Sequence, residues 1–92
     1  MSQIPQLPQQ YPAYYKNKNG LHYHCILEPK RSIDVSLYEF EYGVHLNTRV
    51  MTYCTIYPEM VDCTAEEFWI AAGKAMEKVQ DMLTSETTNP TV

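Results

Sequence analysis

The sequence predicts an α+β domain: a three-stranded antiparallel sheet followed by one C-terminal helix packed on one face, a βββα order with a flexible N-terminal arm. Three observations carry that expectation. Residues 64–83, TAEEFWIAAGKAMEKVQDML, repeat apolar side chains at helical spacing. Residues 21–57 are rich in β-branched and aromatic residues that alternate with polar ones and are bounded by Pro58. The two ends show neither pattern. Residues 1–19 are rich in proline and glutamine and residues 84–92 are polar, so both read as flexible extensions of a single domain spanning 20–83. A core of that size gives marginal stability unless a partner, a metal or self-association adds to it.

The first strand is expected over 21–28, ended by Pro29, which cannot donate to a ladder. The second runs from Ile33 to Leu46, Asn47-Thr48 forms a two-residue turn, and the third runs over 49–57. The helix opens at Thr64, with Glu67 three residues on in the capping-box arrangement and Glu66 beside it at the positive end of the dipole. Its apolar stripe is Phe68, Ala72, Ala75, Val79 and then Met82 or Leu83, flanked by Trp69 and Met76.

A four-residue loop would set Glu28 opposite Ile33, His22 opposite Glu39 and His24 opposite Leu37. The Asn47-Thr48 turn would set Glu41 opposite Cys54 and Tyr42 opposite Tyr53. Side chains alternate along a strand, so one face then carries Ile26, Ile33, Val35, Leu37, Val50, Cys54 and Ile56, with His22 and His24 toward one end. The other gathers Tyr23, Tyr38, Phe40, Tyr42, Met51, Tyr53 and Tyr57. One helix covers only one face, and the aliphatic face suits it. The tyrosine-rich face therefore needs a cover, and these seven residues are the interface or ligand candidates. The cover is the N-terminal arm with Tyr11, Tyr14 and Tyr15, a ligand or, as the leading expectation, a second copy of the chain in a homodimer.

His22 and His24 point to one side, as a strand-borne metal pair requires, with Glu39 as a cross-strand donor. No spacing specifies a third and fourth ligand, so no metal and no cofactor is expected. A hydrogen-bonded His–Glu pair is the simpler reading. Cys25 alternates to the opposite face, so the run HYHC is not a cluster in space. Cys25, Cys54 and Cys63 lack CxxC spacing and fit reduced thiols in a cytoplasmic protein. Cys63 precedes the helix cap and fits a staple against Phe68. No catalytic residue is assigned.

The net charge of −4 argues against a general binder of duplex nucleic acid. Lys30, Arg31 and Arg49 remain candidates for a small anionic, nucleotide-like ligand whose base stacks on tyrosine. The longest apolar run, FWIAA, is too short to span a bilayer. Three strands followed by a helix opening T-x-E-E-F-x-x-A are similar to small accessory proteins of phages and mobile elements. They are also similar to HicB-type antitoxin domains, whose glycine and proline pattern at strand ends is missing here. No residue is carried over from this resemblance. The leading expectation is a non-catalytic binding module that self-associates through the tyrosine-rich face and acts as an inhibitor or adaptor toward another protein, with an oligomer that sequesters a nucleotide-like ligand and a His/Glu metal protein as the alternatives.

Overall fold

The computed structural model describes residues 6–38 and 42–87. Asn19-Gly20 is the first glycine-containing turn signal in the chain. Gly20 sits at φ +72° and donates its N–H to the Asn17 carbonyl, while the Asn19 side chain accepts from Leu21 N. A left-handed residue beside an asparagine that caps its own turn reverses the chain tightly. The turn joins β1 (Ala13–Asn17) to β2 (His22–Glu28). β3 (Arg31–Leu37), β4 (Tyr42–Thr48), β5 (Met60–Asp62) and α1 (Ala65–Thr87) follow. The strands form one antiparallel sheet in the order β4-β3-β2-β1-β5.

The α+β class and the C-terminal helix stand; the described residues form five strands rather than three. One addition comes from the predicted arm, whose residues 13–17 form an interior strand with Tyr15 buried. Another comes from division of the predicted second strand, and a third is β5, while the predicted third strand over 49–57 does not form. Fourteen residues in one strand would extend roughly 46 Å, well beyond what a small sheet can pair. The chain instead turns back after Leu37 and lays β4 against β3. Asn47-Thr48 therefore ends β4 and is not a turn between two strands. The helix also continues to Thr87, past the predicted start of a flexible tail.

The predicted β2–β3 register is replaced as well. Glu28 pairs with Arg31 across Pro29-Lys30, two residues tighter than expected, and an irregularity between Ile26 and Glu28 adds one more. The total slip of three is odd, and an odd slip exchanges the faces of one strand relative to the other. His22 therefore faces Ser36, and His24 faces Asp34.

The helix-side core is built from Cys25, Val35, Phe68, Ala71, Ala72 and Ala75, with Tyr14, Tyr23, Leu27, Ile33, Leu37 and Cys63 packed around it. Three alanines let α1 approach the sheet closely, while Trp69 and Met76 stay exposed. Thr64 caps the helix reciprocally: Glu67 N donates to Thr64 Oγ1 at 3.0 Å, and Thr64 N to Glu67 Oε2 at 2.9 Å. Cys63 packs on the cluster containing Phe68, as a staple would.

Residues 49–59 replace the predicted third strand. They cross the opposite face from the β4 edge to the β5 edge, tied by Cys54 N to the Pro29 carbonyl (2.7 Å) and Ile56 N to the Gln6 carbonyl (2.8 Å). This segment sets Cys54 and Ile56 on Tyr15, Ile26 and Met60 as a second, smaller core.

Candidate functional site: a polar row beneath a crossing segment

The face opposite α1 is not uniformly apolar. Alternation points Asn17 of β1, His24 of β2, Ser32 and Asp34 of β3 and Asn47 of β4 to the same side. They form a hydrogen-bonded row across four strands. His24 Nδ1 lies 2.8 Å from Asp34 Oδ1, and His24 Nε2 lies 2.9 Å from Asn17 Oδ1. Asp34 Oδ2 accepts from Asn47 Nδ2 and, at 3.5 Å, from Ser32 Oγ. Two proton arrangements satisfy His24: an imidazolium donating from both nitrogens, or, with the Asn17 amide turned over, a neutral ring donating from Nδ1.

The crossing segment leaves a cavity of about 230 Å³ over this row. His24, Asp34 and Asn17 form part of its lining, while Arg49, Tyr57 and Glu59 come from the covering chain. Arg49 is exposed and, among the described residues, has no carboxylate within ion-pair distance. Its backbone N–H donates to the Lys30 carbonyl at 2.7 Å, which fixes where its side chain starts.

Of the predicted anionic-ligand residues, the structure places all three near the β2–β3 turn. Lys30 and Arg31 line a neighbouring groove with Tyr53, while Arg49 lines the cavity. Both groove cations are engaged: Lys30 Nζ lies 5.4 Å from the Tyr53 ring centroid, and Arg31 Nη1 lies 3.1 Å from Glu28 Oε2.

The predicted tyrosine face does not form, because of the register slip and the return of β4. Tyr23 packs on the helix-side core, and Tyr42 lies under Lys78 on that side. Tyr38 stands edge-on to His22, with centroids 4.7 Å apart. Met51, Tyr53 and Tyr57 belong to the crossing segment. Phe40, Glu39 and Glu41 lie outside the described residues. His22 meets Ser36 Oγ at 3.3 Å, and among the described residues no three His, Cys, Asp or Glu gather as a ligand set.

Two of the three cysteines sit where their surroundings favour the protonated thiol. Burial pushes Cys25 up from its ordinary value; burial and then the Glu67 carboxylate push Cys63 up to about 11. Cys54 is buried against Tyr15 and Ile26.

Sequence reasoning missed Asn17, Ser32, Asp34 and Asn47. A signal for Asp34 was present. H-Y-H and D-V-S are both polar at alternate positions, and matching them pairs His24 with Asp34 and His22 with Ser36. Asn17 required the Asn19-Gly20 hairpin signal. No family model, curated protein or solved structure matches the chain.

Proposed function

We propose that the protein is a non-catalytic binding module that holds a small ligand bearing an anionic group in the cavity over the His24–Asp34 row. One observation carries the reading: Arg49 stands at a cavity whose floor is an already satisfied polar network. Both Asp34 oxygens are occupied by hydrogen bonds to His24, Asn47 and Ser32, which leaves Glu59 on the covering chain as the other carboxylate of the lining. Among the described residues Arg49 has no carboxylate partner, and a guanidinium suits a carboxylate or phosphate through paired N–H donors. Size narrows the ligand. A cavity of about 230 Å³ is below the roughly 300–1,000 Å³ of drug-sized sites. A phosphate or a carboxylate on a small skeleton fits this space, whereas a nucleotide would leave its base outside.

The same geometry favours binding over catalysis in this reading. His24 Nε2, the nitrogen a general base would direct at a substrate, is held by Asn17. The test is thermal unfolding of the whole protein with inorganic phosphate, succinate and a nucleoside monophosphate. A ligand at a hundredfold excess over its Kd adds about 2.7 kcal/mol and raises Tm measurably. The expected result is stabilisation lost in Arg49→Gln and retained in Lys30→Gln. No stabilisation by any of the three probes, or stabilisation indifferent to Arg49, overturns the reading.

A further inference from the structure

The two edges of the sheet are unequal. β5 is three residues long, whereas β4 presents seven, YGVHLNT, without Lys, Arg, Asp, Glu or Pro. Short length, charge and proline are the devices that keep edges from pairing, and β4 has none of them. Its helix-side residues Val44 and Leu46 are apolar and 41% and 64% exposed. Its other side carries Gly43, His45 and Asn47.

The helix adds to this edge. α1 begins over β1, where Glu67 meets Lys16 and Phe68 meets the Tyr14 ring. Its later turns reach β4, where Lys78 lies over Tyr42 and Met82 borders a recess with Tyr42 and Val44. Residues 83–87 continue for roughly 7 Å beyond that point. A strand added to β4 would thus have the end of α1 beside one face and solvent on the other. It would need apolar residues on the helix side and small or polar ones opposite.

β4 itself is such a strand. We infer that β4 pairs antiparallel with β4 of a second copy, joining two five-stranded sheets across a two-fold axis. Full overlap of the seven residues centres the axis on His45 and sets Val44 against the partner's Leu46 twice on the helix side. Equal parity keeps like faces together, and a strand with no carboxylate or amine brings no such like-charge pair into opposition. A two-fold axis closes both edges at once.

The area sets the strength. A contact roughly 23 Å long and 20 Å deep, the sheet plus one helix layer, buries about 460 Å² per chain. The total of roughly 900 Å² lies below the roughly 1,200–2,000 Å² typical of specific stable interfaces and just under the roughly 1,000 Å² that separates them from weak, transient ones. The dimer is therefore a weak one, in equilibrium with monomer.

Sedimentation equilibrium of the full chain across micromolar concentrations tests this. The wild type should show monomer and dimer, and Leu46→Lys should raise the dissociation constant at least about tenfold with its circular dichroism retained. Met76→Lys, on the exposed helix face, should leave the dimer unchanged. His45→Cys should cross-link into a covalent dimer under mild oxidation where the wild type does not, which decides the matter if Leu46→Lys fails to fold. Wild-type monomer throughout overturns the proposal. So does a dimer unaffected by a folded Leu46→Lys, or the absence of His45→Cys cross-linking.

Discussion

His24 Nδ1 and Asp34 Oδ1 lie 2.8 Å apart on directly opposed positions of β2 and β3, both side chains largely shielded by the crossing segment. The pair joins the row from Asn17 to Asn47, so its loss is felt on four strands. Asp34→Ala strips acceptors from His24, Asn47 and Ser32 together and should cost about 1–3 kcal/mol. A double-mutant cycle with His24→Ala, read by urea unfolding, should return a favourable coupling of about 1 kcal/mol. Additive losses would show that the two side chains act independently.

Thr64→Ala should cost about 1 kcal/mol, because the helix loses the acceptor for Glu67 N. The partner's effect depends on pH. The Thr64 backbone N–H and then the nearby Lys16 ammonium hold the Glu67 carboxyl below its ordinary value. A depressed folded value stabilises fully above the ordinary carboxylate range and is lost as pH falls through the folded value. The stability difference between wild type and Glu67→Gln should therefore shrink on acidification, as measured by denaturant midpoints.

Gly20 at φ +72° has open space around the position of an added Cβ, so Gly20→Ala tests backbone conformation alone. It should cost about 1–2 kcal/mol of stability, visible as a lower Tm.

Cys63 should alkylate slowly. With its thiol pushed up to about 11 from 9.0, the thiolate fraction near neutral pH falls about a hundredfold. Timed iodoacetamide labelling of the native protein should lag the urea-unfolded protein by that order. Because the folded value is raised, the thiol's contribution to stability is complete below 9 and lost as pH rises toward 11.

Truncation separates the two parts of the N-terminal region. Removing residues 1–12 deletes the Gln6–Ile56 bridge and should lower stability while keeping the helix signal. Removing residues 1–17 deletes the strand between β2 and β5, and should abolish cooperative unfolding.

Although Met82 and Leu83 at the end of the expected stripe are exposed, residue patterning was enough for the helix, its start at Thr64, the burial of Phe68, Ala72 and Ala75, and the separation of Cys25 from His22 and His24. Each of these follows from local rules: capping chemistry within four residues, a period of 3.6, and a period of two. The reach of those rules ends where one strand must choose its partner. Whether His24 meets Leu37 or Asp34 depends on two residues of loop length and one irregularity, and an odd sum exchanges the faces. Three features emerge only in the folded chain: Ala13–Asn17 is an interior strand, Tyr42–Thr48 returns as the edge strand of the described sheet, and residues 49–59 lie across that sheet. The physical reason is common to all three. Their stability comes from pairing and burial between segments distant in sequence, and no short stretch carries that free energy by itself.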